Sequence, residues 1–175
     1  PGVLVPSSSN LGNTFECPSS IGVYGSAECQ AYLAGSRYFT VSDYAVYVIQ
    51  APLLTCNHRA DVTSWVTSSL PAFAGLADVN LKECYRMSKD GGAAAKFHTN
   101  CDNRGPTVTV VRASSGHIFG GVASESWGSV NAHRGSPDSF LFCLDCAGER
   151  NTPRKLTVVS PGQDYELFDH SSYGP

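Results

Sequence analysis

The stretch FHTNCDNRGPTVTVVRASSGHIFGG, residues 97–121, decides the fold. Its TVTVVR portion (107–112) alternates and is rich in β-branched residues, the pattern of a half-buried strand. Ser114, Ser115 and Gly116 then make a hairpin turn, and HIFGGVA (117–123) returns as the antiparallel partner. Gly105 and Pro106 set a turn into the first strand. Gly120 and Gly121 inside a strand pattern mark a close backbone approach or a bulge.

Downstream, SFLFCL (139–144) reads as a buried strand, and KLTVV (155–159) and YELF (165–168) complete a meander. Phe119, Trp127, Phe140 and Phe142 are the natural core of a sheet packed on helices. Upstream, AAAKFHTN (93–100) predicts a short helix. Residues 61–100 as a whole look helical. Asp61 or Thr63 caps a segment through Leu70, and Leu76, Val79 and Leu81 lead into ECYRMSKDGG, stopped by Gly91 and Gly92. YFTVSDYAVYVIQ (38–50) predicts one or two strands, broken at Ser42 and Asp43 and ended by Pro52. SAECQAYLAG (26–35) predicts a helix between Ser26 and Gly35.

The second half of the chain resembles the TLDc domain family. Five segments carry the resemblance in the family's order: YRMSKDG (85–91), the 97–121 stretch, SESW (124–127), DSFLFCL (138–144) and SSYGP (171–175). The resemblance implies an α+β fold, a two-sheet β-sandwich flanked by helices. Residues 1–14 are then an extended leader or linker. Residues 15–175 form a single TLDc-like domain, with 15–80 an unmatched, cysteine-bearing region and 81–175 the core. The familiar members act inside cells, in oxidative-stress protection or in binding the proton-pumping ATPase. Two features depart from that pattern. The first half is cysteine-rich, and the ser-tyr-gly-pro string is not followed by the family's last short strand.

Composition bounds the function. The net charge is −3, so no basic excess exists to neutralise phosphates, and a general nucleic-acid binder is excluded. Charged residues make up 15% of the chain, against about 25% in typical domains. Partner chains, glycans or a matrix would cover so thinly charged a surface; a compact β-rich protein with Ser/Thr-rich strands is the plainer reading. No stretch approaches the length of a membrane span. The chain opens on Pro1 and reads as a processed product or a part of a longer chain. No Asn-x-Ser/Thr sequon occurs.

Seven cysteines point to an oxidising compartment and a secreted protein. Cys17, Cys29, Cys56, Cys84, Cys143 and Cys146 are the disulfide candidates, with at least two bridges expected within the chain. An odd count leaves one thiol over. Cys101 is the candidate, because the TLDc pattern itself carries a cysteine there; a bond to Cys84 or to an N-terminal cysteine is the alternative. Cys143-x-x-Cys146 follows a strand and not a helix start, which favours a structural disulfide over redox catalysis. Zinc needs a second ligand pair, and none is spaced for it. No metal and no cofactor is therefore expected.

No catalytic constellation emerges either. There is no nucleophile elbow, P-loop or dinucleotide fingerprint. His58, His98, His117, His133 and His170 are scattered, with His98 and His117 at family-like positions. Ser124 and Ser126 beside Glu125 have no base placed by spacing. Asp138, Asp145, Asp164 and Asp169 are too dispersed for a calcium loop. The reading is a non-enzymatic, extracellular assembly module, a self-associating subunit of a filament, coat or matrix. Copies of itself are the partners, with glycans as a further class. The leader offers Val3, Leu4 and Val5 for pairing with a neighbour's sheet edge, with Tyr173 beside the vacant strand position; the alternative is a leader that folds back on its own domain. Ser7, Ser8 and Ser9 are candidates for O-linked sugars, or part of a plain linker. The rival readings are a lectin-like recognition domain and an intracellular TLDc protein.

Overall fold

The structure is a computed structural model that describes residues 6–8, 38–50, 57–134, 137–146, 152–158 and 167–175. Cys17, Cys29, Cys56, Val3, Leu4, Val5, Ser9, Asp164 and the 26–35 helix lie outside those residues.

Strand β2 (Tyr38–Gln50) runs through the middle of a seven-stranded antiparallel sheet. One side of β2 pairs with β4 (Thr107–Ala113), which continues through β5 (Ile118–Ala123) and β7 (Phe140–Asp145) to β8 (Arg154–Leu156). The other side pairs first with β1 (Pro6–Ser8), in the register Pro6 to Thr40, and then with β3 (Asn80–Arg86). So Ser7 and Ser8 belong to a strand laid back on their own chain. β6 (Ala132–Arg134) and β9 (Leu167–Asp169) form a separate two-stranded sheet. The fold is α+β, with sandwich-like layering of two sheets and flanking helices.

The β4–β5 hairpin forms where the alternation places it, and Gly116 adopts φ +91° in the turn. Close approach explains the double glycine. A Cβ on Gly120 would lie 1.9 Å from the Thr109 carbonyl oxygen and 2.6 Å from the tip of the Phe142 ring. Phe142 occupies the space that a side chain at 120 would fill. The expected break at Ser42 and Asp43 is a register shift between Val41 and Asp43 against β4, and the strand continues through it.

Three expectations need correction. Residues 80–86 are strand β3, not helix; only Met87–Asp90 (α2) makes a helical turn. Leu81, Cys84 and Tyr85 carry the i, i+3, i+4 spacing of a helix face, but the segment pairs with β2, and the register shift at Val46/Tyr47 leaves Leu81 and Tyr85 against opposite cores. Helix α1 starts at Asn57 and runs to Ser69, earlier than a cap at Asp61 or Thr63 allows. The 165–168 strand does not join the meander; its described part, β9, pairs with β6 instead.

The sheet is covered on both faces. On one, α1 presents Val62 and Val66, followed by Leu70, at four-residue spacing to Val108, Val122, Phe140 and Phe142. On the other, α3 (Ala94–Cys101) presents Phe97 and Cys101 to Val46, Tyr85, Trp127 and Leu167.

Candidate functional site

The second face carries the polar chemistry. Helix α3 ends at Asp102, and the next residue, Asn103, is left-handed at φ 57°. Its backbone N–H donates to the Trp127 carbonyl at 2.8 Å, tying the helix end to the 126–131 loop. That loop holds two more left-handed residues, Ser129 (φ 55°) and Asn131 (φ 58°). Such non-glycine conformations cost about 1–3 kcal/mol each and persist only where the surroundings enforce them.

At Ser129 two carboxylates do the enforcing. Asp169, fully buried on β9, accepts the N–H of Ser129 on one oxygen (2.9 Å) and that of Gly128 on the other (3.0 Å). Arg134 faces it at 3.4 Å and also donates to the Ser126 carbonyl at 2.6 Å. Asp102 accepts the Ser129 hydroxyl on Oδ2 at 2.7 Å and meets Nδ1 of His98 on Oδ1 at 2.8 Å. Ser129 thus links both acids.

His98 is 7% exposed. Its Nε2 faces two backbone carbonyls, those of His170 at 3.0 Å and Tyr173 at 2.9 Å. Burial pushes its pKa down, but the hydrogen bond with Asp102, the Tyr173 carbonyl, the Asp102 charge and the His170 carbonyl together raise it above the ordinary value.

Above this network lies an exposed ring cluster. Strand alternation in β9 turns Leu167 and Asp169 inward and Phe168 outward. The Phe168 ring sits 4.6 Å from that of His133, 5.5 Å from His170 and 5.8 Å from Tyr173, centroid to centroid; His170 and Tyr173 are 4.9 Å apart. Phe168 is 41% exposed, Tyr173 58% and nearby Val130 52%. These are three of the four exposed large apolar side chains among the described residues.

Tyr173, His133 and His170 therefore meet at one surface, with His98 buried beneath it. His58 lies in α1 and His117 just before β5, away from it. Ser126 accepts the Gly105 N–H and donates to the Trp127 carbonyl, and Ser124 pairs with Ser139. Asp138 lines a shallow cavity of about 270 Å³ with Lys155, and Asp145 ends β7. Among the described residues no three His, Cys, Asp or Glu side chains gather as a metal site. Cys143 is joined to Cys146, with Cα atoms 5.9 Å apart. Cys101 is not a free thiol: it is joined to Cys84, because α3 lies on β3 with the two Cα atoms at 5.5 Å. The residues that sequence reasoning missed are Asp102, Ser129, Arg134 and Phe168. Their only local signal is the turn chemistry of Asn103 and Asn131, residues that tolerate left-handed backbone.

The family model of the TLDc domain matches residues 58–161, more than half of the chain. It opens in α1, so it takes in α1 and β3 as well as the hairpin. A 54-residue stretch is 44% identical to the MTOR-associated protein MEAK7 of Danio rerio. That stretch is 31% of this chain and 12% of the zebrafish protein. No solved structure matches the chain.

Proposed function

The chain belongs to the TLDc domain family, and from that premise we propose that it is a non-enzymatic assembly module that associates with copies of itself outside the cell. The observation that carries the reading is the ring cluster of His133, Phe168, His170 and Tyr173, with Phe168 and Tyr173 exposed. Exposed aromatic surface set on a rigid, buried polar base is the composition of a docking site, where rings supply contact area at little entropic cost. The acidic and basic groups beneath it support a non-catalytic role. His98 and Asp102 bond to each other, and their remaining hydrogen bonds and those of Asp169 go to Ser129, Arg134 and backbone groups. The two cross-links, Cys84–Cys101 and Cys143–Cys146, support an oxidising compartment.

Sedimentation of the oxidised chain over a concentration series tests this. Self-association that is abolished by Phe168→Ser with Tyr173→Ser supports the reading; a wild-type chain that stays monomeric throughout sinks it. Mass measurement with and without reductant tests the compartment. A second reading, an intracellular TLDc protein of oxidative-stress protection or proton-pump binding, draws on the likeness to the MTOR-associated zebrafish protein. It requires free thiols at Cys84 and Cys101 in the chain as purified from its cell.

A further inference from the structure

We propose that His98 is the proton-dependent pin of a clasp that fixes residues 170–175 on the domain and so assembles the ring cluster. The clasp concerns the chain's own segment and holds whatever the cluster binds.

Residues 171–175 are exposed, and their attachments are few. Ser171 gives its N–H and its hydroxyl to Asn131 Oδ1, both at 2.9 Å and both open to solvent. Tyr173 closes a turn onto the His170 carbonyl at 3.0 Å. Gly174 passes Tyr44, whose hydroxyl would stand 3.4 Å from a Cβ at that position. The buried anchor is the His98 ring, reaching 72 and 75 residues along the chain to two carbonyls of the segment.

A carbonyl oxygen only accepts, so Nε2 must carry a proton. The Asp102 carboxylate, its other oxygen filled by Ser129, asks the same of Nδ1. Both nitrogens are satisfied together only in the imidazolium form. Losing either proton points a lone pair at an acceptor: at Asp102 in one tautomer, at both carbonyls in the other. The raised His98 pKa agrees with this geometry. A group whose value is raised in the closed state stabilises that state fully below the free histidine value of about 6.5, and the contribution is lost as pH rises through the clasped value.

The other titratable and charged groups around the ring fall into place. From the end of α3 comes Asp102; beyond Ser129 stands Asp169, with Arg134 of β6 against it. From β2 comes the Tyr44 phenol, pushed above its usual range by burial and then by Tyr85. From the segment itself come the rings of His170 and Tyr173. His170 has the opposite requirement: its Nδ1 accepts the Ser172 N–H at 3.1 Å, so it needs that nitrogen bare. This contact is exposed and local, and it closes one turn within the segment without touching the anchor.

The experiment is an NMR titration of the oxidised full chain from pH 5 to 10. It reads the ring nitrogens of His98 and the backbone order of residues 171–174. The expected result is a His98 imidazolium at pH 6, and a segment that is ordered there and loosens with the same midpoint as His98. His98→Gln keeps a donor to the carbonyls and removes the titration, so its segment should show one order parameter across the range. Asp102→Asn should lower the His98 midpoint and carry the loosening with it. A neutral His98 ring at pH 6, a segment equally ordered at pH 6 and 9, or loosening in His98→Gln at the wild-type midpoint overturns the proposal.

Discussion

The two faces of the sheet are built from different chemistry. Against α1, the core is aliphatic and phenylalanine: Val62, Val66, Leu70, Val108, Val122, Phe140 and Phe142. Nothing there needs a partner of particular geometry, and the stabilisation scales with area removed from water. Against α3, Tyr85, Phe97 and Trp127 pack edge to face or tilted, and beside them His98, Thr107, Asp102 and Asp169 are satisfied one hydrogen bond at a time. The first face holds the domain together. The second specifies positions, and it is the one that ends in exposed rings. Stability and presentation are divided between the two sides of one sheet.

The sharpest way to break this comparison is at its apolar side. Phe142 is fully buried, lies against Trp65 at 6.1 Å, and fills the space over Gly120. Phe142→Ala should cost about 3–5 kcal/mol in denaturant unfolding, with the ring cluster unchanged as long as the chain is folded. The cross-link on the other face comes next. Cys84 and Cys101 are 17 residues apart, and closing a loop of that length stabilises by about 3 kcal/mol through the unfolded chain. Replacing both by Ser should lower the unfolding midpoint accordingly. A change near zero would mean that α3 is held by packing alone.

A smaller effect tests the polar network directly. Asp169→Asn keeps the shape but supplies one acceptor oxygen where two backbone N–H groups are presented. One of Gly128 and Ser129 then faces an amide NH₂, a loss of about 1–3 kcal/mol. Unlike Phe142→Ala, this change should release the left-handed backbone at Ser129. Faster amide exchange at 128–131 than in β4 is the diagnostic; uniform exchange would mean that the loop is not held by the acid.

The apolar face was legible in the sequence and the polar one was not, for a physical reason. Alternation in 107–112, the Ser114–Gly116 turn and the double glycine each report a local requirement, so the hairpin and its close approach could be read directly. Strand β3 reads as helix because Leu81, Cys84 and Tyr85 have the spacing of a helix face, and only pairing with the neighbouring strand, with its register shift, overrides that spacing. The site is assembled from residues with no local signature. Asp102 and Ser129 are 27 residues apart, and Ser129 and Asp169 are 40. They meet because β6 pairs with β9, and no pattern of either three-residue strand announces its partner. The cysteine pairing failed in the same way: a thiol expected to be free sits where α3 crosses β3.

The least effect is expected at the outer edge of β3. Arg86 gives Nε and Nη2 to one oxygen of Glu83, at 3.0 and 2.7 Å, with side chains 36% and 29% exposed. Two contacts at this range look strong on geometry alone. Solvent argues otherwise: ions this accessible gain little over their hydrated state and lose rotamer freedom, so such pairs are worth roughly 0.2–1 kcal/mol and weaken with salt. Glu83→Gln should therefore shift the melting temperature by no more than about 2–4 °C, and less at high ionic strength. The size of the shift is informative because of where the pair sits. Among the described residues β3 pairs only with β2, so its other edge is a place where another strand could be added, and a second chain there would take both ions out of water. A salt-independent loss several times larger, appearing only at concentrations where the chain self-associates, would move the interface from the ring cluster to this edge. A small, salt-sensitive loss at all concentrations leaves the ring cluster as the contact surface.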